Sequence, residues 1–276
     1  MRGSEFIVGA QSHIHLYEQG GVSSLGGVHP RALPNQADGS LKLDEIEHCI
    51  RADDIHFATM KLVCLETTQN KQGGLVLSRE YIADVGKLCT EHGLALHIDG
   101  ARICNAAAAL GVSVSELCVP ADSVSVCLSK GLGAPVGSVL VGPHDFIRKA
   151  RRLRKALGGG MRQAGLLAAA GLVALRDILP KLGEDHTKMS ALAAALAQVP
   201  GIGLRDGMPP TNICFFTLDP AIEFARLQRG LRARGIAING TDGLFRLVMH
   251  HQVAEASIPA IAAAFAELVA PMMAAK

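Results

Sequence analysis

The sequence predicts an α/β protein, with a large α/β domain over residues 1–160 and then connecting helices and a smaller C-terminal α+β domain over residues 161–276. Three observations carry this. Short apolar runs that end in polar residues recur through the first half of the chain, with a capped helix between the first two, the pattern of strands in a mixed or parallel sheet. From Pro143 the pattern turns helical, and after Pro200 a shorter strand and helix alternation begins again. The 276 residues are 49% hydrophobic, enough for a substantial core.

The elements follow in order. "KLVCLETT" (Lys61 to Thr68), "LALHIDGA" (Leu94 to Ala101) and "DSVSVCLS" (Asp122 to Ser129) read as strands. Between the first two, Ser78 stands as N-cap and Gly93 just past the end of a helix. "GSVLVG" (Gly137 to Gly142) is the next strand, turning back after Lys130. Pro143 suits a helix first turn, and "HDFIRKARRLRKAL" then carries six basic residues before a stop at Gly158, Gly159 and Gly160. "MRQAGLLAAAGLVALRDIL" is apolar on nearly all sides and predicts a buried helix. The Ala-rich stretch from Ser190 to Val199 continues the helical character. "TNICFFTL", a helix around Phe224 to Arg234, "LFRLVMHH" and a last helix to the C-terminus complete the smaller domain. Residues Met1 to Phe6 read as an added or internal start and stand outside this prediction.

Composition narrows the function. A net charge of +2 is too mild to imply a polyanionic partner, so nucleic acid is not expected. The basic helix lacks the interleaved aromatics of a nucleic-acid binder and reads as a solvated or subunit-contacting face. Seven scattered cysteines, mostly in apolar segments, fit reduced thiols, and their spacing gives no metal site. No signal peptide or charge-free span is legible, so a cytoplasmic protein without a membrane partner is expected.

Two residues carry the chemistry. Lys130 follows an apolar run in "SVCLSKGLGAP", at a strand's carboxyl end, where open α/β sheets bind ligands. Alone it reads more readily as a loop lysine reaching solvent. The glycines at 131, 133 and 137 do not make a dinucleotide fingerprint, because the last gap is one residue too long and Pro135 interrupts the helix start. Asp99, in "HIDGAR", ends another strand, and alone it reads as a turn residue before Gly100. Together they match what pyridoxal phosphate needs: a lysine amine for the Schiff base, and a carboxylate that keeps the pyridine nitrogen protonated. Gly100 and Ala101 would leave room for the flat ring.

"LHIDGARICNAAAALGV", "DSVSVCLSKGLGAPVGSVLVG" and "RKALGGGMRQAGLLAAAGL", with "SHIHLYEQGG" and "FRLVMHH", resemble the signatures of the low-specificity L-threonine aldolases over almost the whole chain. The resemblance implies a pyridoxal-phosphate enzyme of fold type I that cleaves threonine, allo-threonine and other β-hydroxy-α-amino acids to glycine and an aldehyde. It also implies a homo-oligomer, typically a tetramer with shared sites. By the same resemblance His13 stacks on the cofactor ring near the β-hydroxyl, and Arg102 lies near cofactor and substrate. Arg246 binds the substrate carboxylate, a role suited to the guanidinium fork. Arg162 lies near the cofactor phosphate, of this or a neighbouring subunit.

The sequence departs from the family pattern in two places. The segment usually written "ENTHN" is "ETTQN" here, so Gln69 replaces a histidine and cannot titrate. Glu18 then stands as an alternative base. The family's N-terminal arm and Ser-Gly-Thr turn, which hold the cofactor phosphate, do not precede "EFIVGAQSH", and a helix N-terminus is a strong anion site. The chain alone is therefore expected to be poorly stable or poorly active. Two rival readings are an inactive aldolase isoform acting through oligomerisation and another fold type I lyase.

Overall fold

The computed structural model describes residues 2–241 and 244–274. It divides into two compact units, Met1–Pro180 and Lys181–Lys276. The division falls later than residue 160, because Gly171 closes directly on Leu128, where a Cβ would lie 3.0 Å from its Cδ1. The helix after Arg162 thus belongs with the first unit.

In the first unit, strands β1 (Glu5–Gly9), β2 (His29–Leu33), β3 (Met60–Glu66), β4 (Ala95–Asp99), β5 (Ser123–Cys127) and β6 (Ser138–Val141) form one sheet in the order β2-β1-β3-β4-β5-β6. The pairings from β2 to β5 are parallel, and β6 returns antiparallel to β5. Parallel strands place their carboxyl ends on one rim, which gathers residues distant in sequence. The start of the chain requires a correction. Residues set aside as an added start contribute Glu5 and Phe6 to β1, an interior strand buried along its length. Glu5 is tolerated there because Arg31 and Arg51 both pair with its carboxylate.

The helices of this unit are α1 (His13–Leu16), α2 (Gly21–Ser24), α3 (Leu43–His48), α4 (Arg79–Glu91), α5 (Ile103–Leu110), α6 (Val114–Cys118), α7 (His144–Ala156) and α8 (Gly165–Val173). Helix α4 starts where predicted, with Ser78 Oγ accepting the Tyr81 N–H at 3.1 Å, and it stops before Gly93 at φ +65°. Its Ile82, Val85 and Cys89 recur at helical spacing and are buried. Helix α8 corrects two expectations. It begins at Gly165 rather than Met161, because Gln163 takes φ +52°. It is also largely exposed in this chain, Leu166 to 73% and Leu172 to 67%. Four of the seven cysteines (Cys64, Cys89, Cys104 and Cys214) are buried, and all seven are free thiols.

The second unit is an antiparallel sheet of β7 (Ile202–Leu204), β8 (Ile213–Leu218), β9 (Asn239–Thr241) and β10 (Leu244–Val248), in the order β7-β8-β10-β9. Its helices are α9 (Leu182–Leu196), α10 (Phe224–Arg232) and α11 (Ile258–Met273). The predicted helix to the C-terminus also covers residues 275–276, which lie outside the described residues. Phe216, Phe245 and Phe265 centre the core, with Phe216 and Phe245 ring centroids 5.4 Å apart. Segment Glu255–Met273 has the length and apolarity of a membrane span, but Phe265, Val269 and Met272 are spent on this core. In α9 a buried Lys188 Nζ lies 2.7 Å from Asp185 Oδ1 and also donates to the carbonyls of His250 and Val253.

Candidate active site

Four strand ends of the first unit meet on the carboxyl rim of its sheet. Glu66 closes β3 and lies in register with Asp99, the last residue of β4, which in turn pairs with Ser125 on β5. Lys130 lies in the turn between β5 and β6. Gly133 N–H donates to the Lys130 carbonyl at 2.9 Å, and the turn is closed by Leu128 N–H to Gly137 O and Ala134 N–H to Leu128 O. Gly133 takes φ +73° and Gly137 φ +115°, so these glycines serve the turn itself. Lys130 is half-buried at the head of this hairpin.

Asp99 is buried, 6% exposed, and its Oδ1 accepts the Ala101 N–H at 3.2 Å. Among the described residues no cation forms an ion pair with it. Buried carboxylates ordinarily have a charged partner. Titratable groups nearby feel its charge. Burial pushes the Glu66 carboxyl above its ordinary range, and Asp99 adds to this against the hydrogen bonds from Asn70 and His13. Burial also drives the His97 imidazole below its ordinary value, with Asp99 opposing. Gly100 is small for a different reason than ring space. A Cβ there would meet Ser125 O at 2.9 Å and Val124 Cγ1 at 3.0 Å, so the room is filled by β5.

His13 opens α1 just beyond β1, and its Nε2 lies 2.9 Å from Glu18 Oε1. The structure thus joins two residues that the sequence considered separately. Tyr17 lies against the same imidazole, ring centroids 5.3 Å apart. Arg102 is the N-cap of α5, three residues beyond Asp99. Arg162 is exposed in the turn before α8. Arg246 lies on β10 of the second unit, between Phe215 of β8 and Asn239 of β9. Gln69 is fully buried and its amide is spent at both ends: Nε2 donates to Gln11 O at 2.8 Å, and Oε1 accepts from Gln72 N–H at 2.8 Å. Sequence reasoning did not single out Glu66. Its signals were an acidic residue closing an apolar strand and its place at the head of the "ETTQN" segment.

The donor set fits pyridoxal phosphate: a buried carboxylate with no cationic partner among the described residues can take a protonated ring nitrogen, and an amine stands in the turn after the adjoining strand. Fold and site together define the fold type I class, whose members typically depend on that cofactor. A family model described as beta-eliminating lyase matches residues 1–219. A low-specificity L-threonine aldolase 1 from Arabidopsis thaliana is 48% identical over 263 residues, covering 94% of this chain and 74% of that protein. The low specificity L-threonine aldolase of Escherichia coli K12 is 43% identical over 262 residues, covering 95% and 76%. A Leishmania major threonine aldolase structure superposes with a TM-score of 0.79 at 23% identity, over 98% of this chain and 79% of that one. The chain belongs to the beta-eliminating lyase family, among its low-specificity L-threonine aldolases.

Proposed function

We propose that the chain binds pyridoxal phosphate and cleaves L-threonine, L-allo-threonine and related β-hydroxy-α-amino acids to glycine and an aldehyde. The observation that carries this reading is Asp99, a buried carboxylate without a paired cation among the described residues, beside the strand end that leads to Lys130. Both relatives quoted above are named for this substrate.

When bound, the cofactor supplies an electron sink for the pair left on the α carbon once the bond to the β carbon breaks. The chain's own residues do the rest. Lys130 holds the cofactor through its amine, and Asp99 holds the ring nitrogen in its charged form. His13 accepts the β-hydroxyl proton at its imidazole, and Glu18, 2.9 Å from Nε2, stabilises the imidazolium that results. Gln69 takes no part in proton transfer, because its amide is held by Gln11 and Gln72. Arg246 and Arg102 bind the substrate carboxylate, and Arg162 binds the cofactor phosphate within a homo-oligomer.

The test is release of acetaldehyde from threonine by the purified chain with added cofactor, beside a Lys130→Ala control. Lys130-dependent acetaldehyde supports the reading. Pyruvate and ammonia in its place would assign another lyase activity, and no product from a folded, cofactor-loaded chain would overturn it in favour of an inactive isoform.

A further inference from the structure

Glu66 is buried between two turns and holds one with each carboxylate oxygen. Oε2 accepts the His13 N–H at 2.7 Å, and Oε1 accepts the Asn70 N–H at 2.9 Å. The turn leading to His13 has few other ties. Gln11 N–H donates to Asn35 Oδ1 at 2.9 Å, the Gln11 carbonyl accepts from Gln69, and Ser12 N–H closes on Gly9 O at 3.0 Å. Of these ties, only Glu66 bonds His13 itself, and it does so at the first residue of α1, whose N–H has no partner within the helix. A carboxylate at a helix start is favourable, but this helix is a single turn and gains little by itself. Burial makes the carboxylate costly unless both oxygens are used, and here both are.

We propose that Glu66 is the positioning residue for His13: it fixes the start of α1 to the carboxyl end of β3, so that the imidazole stands over the same rim as Asp99 and Lys130. The inference rests on the aldolase reading for its consequence in catalysis, but the tie itself does not. Glu66 hydrogen-bonds the His13 backbone N–H, which sets where the imidazole stands, and its charge also attracts that of the ring. The replacement Glu66→Gln keeps the shape and offers one acceptor oxygen in place of two. Its NH2 group then faces an N–H donor, and one amide is released.

The test is amide hydrogen exchange in the chain without cofactor, together with steady-state kinetics of the loaded enzyme. In Glu66→Gln, His13 or Asn70 is expected to exchange roughly tenfold faster or more, the scale of one lost charge-assisted hydrogen bond, while amides in β3 and β4 keep their protection. Threonine kcat falls roughly 10- to 100-fold, as displacement of a catalytic group predicts. Unchanged exchange at both amides overturns the proposal, and so does loss of protection spread through β3 and β4, which would mark a general structural role. If Glu66→Gln does not fold, Glu66→Asp keeps the charge and shortens the reach: release of one amide supports the tie, and retention of both overturns it. A parent chain that shows no aldolase activity would sink the functional reading alone, because exchange decides the tie independently.

Discussion

Replacing Asp99 by asparagine separates what the residue does for the fold from what it does for the cofactor. In the chain alone, Asp99 is 6% exposed, accepts one N–H, and lies in register beside Glu66, a second carboxyl that its charge pushes upward. An asparagine keeps the Ala101 hydrogen bond through its own Oδ1 and removes the repulsion. Stability of the chain without cofactor should therefore hold or rise, and the Glu66 carboxyl should titrate closer to its ordinary value. The bound ring nitrogen, by contrast, loses a charge-assisted hydrogen bond in a water-poor place, about 1.5–3 kcal/mol. At about 1.4 kcal/mol per decade, cofactor affinity should fall about 10- to 150-fold. Urea unfolding of the cofactor-free chain and an absorbance titration with pyridoxal phosphate read the two quantities. A variant that binds cofactor as the parent does, or that loses more than about 1 kcal/mol of stability without cofactor, would refute the reasoning.

Three further outcomes are expected. Gly100→Ala drives a methyl to 2.9 Å from Ser125 O, backbone that cannot give way, and should cost about 1–3 kcal/mol in urea unfolding. Lys188→Ala strands the buried Asp185 carboxylate and two carbonyls and should cost the second unit about 3–5 kcal/mol, most of it recovered in the double variant Asp185→Leu, Lys188→Met. His97 is held below its ordinary 6.5 by burial, so the unfolded chain takes up its proton first as pH falls. Stability is then full above 6.5 and declines through the window below it, down to the lowered folded value. His97→Gln should flatten that decline in thermal scans, leaving the share contributed by His186, which burial also pushes down.

The placement of Asp99 at a strand end and of Lys130 just past one was legible because each follows a run of apolar residues, and a strand end followed by small residues is written in the sequence. Arg102 and Arg246 needed family resemblance, since an arginine at a helix start or on a strand has no distinguishing pattern of its own. Strand β1 escaped because its first two residues, Glu5 and Phe6, were set aside with the start of the chain, and a short parallel strand cannot be told from other apolar runs by periodicity. The role of Glu66 was not readable because its partners are backbone N–H groups 53 and 4 residues away, and hydrogen bonds to backbone leave no mark on residue type. Helix α8 was misjudged for the converse reason. Its apolar composition states that the surface prefers cover, not which chain provides it.

The antiparallel return of β6 also says where this fold can tolerate change. Parallel strands are joined through crossovers that pass over the surface, and inserted residues there leave strand ends where they were. Lys130 is mounted otherwise, on a hairpin whose register pairs Cys127 with Ser138 and Val124 with Val141. Adding one residue between Leu128 and Gly137 would shift the lysine's height above the sheet or break the closing hydrogen bonds. Chain length is therefore a neutral character in the crossovers and a chemical one in this hairpin, so diversification by insertion belongs in the former.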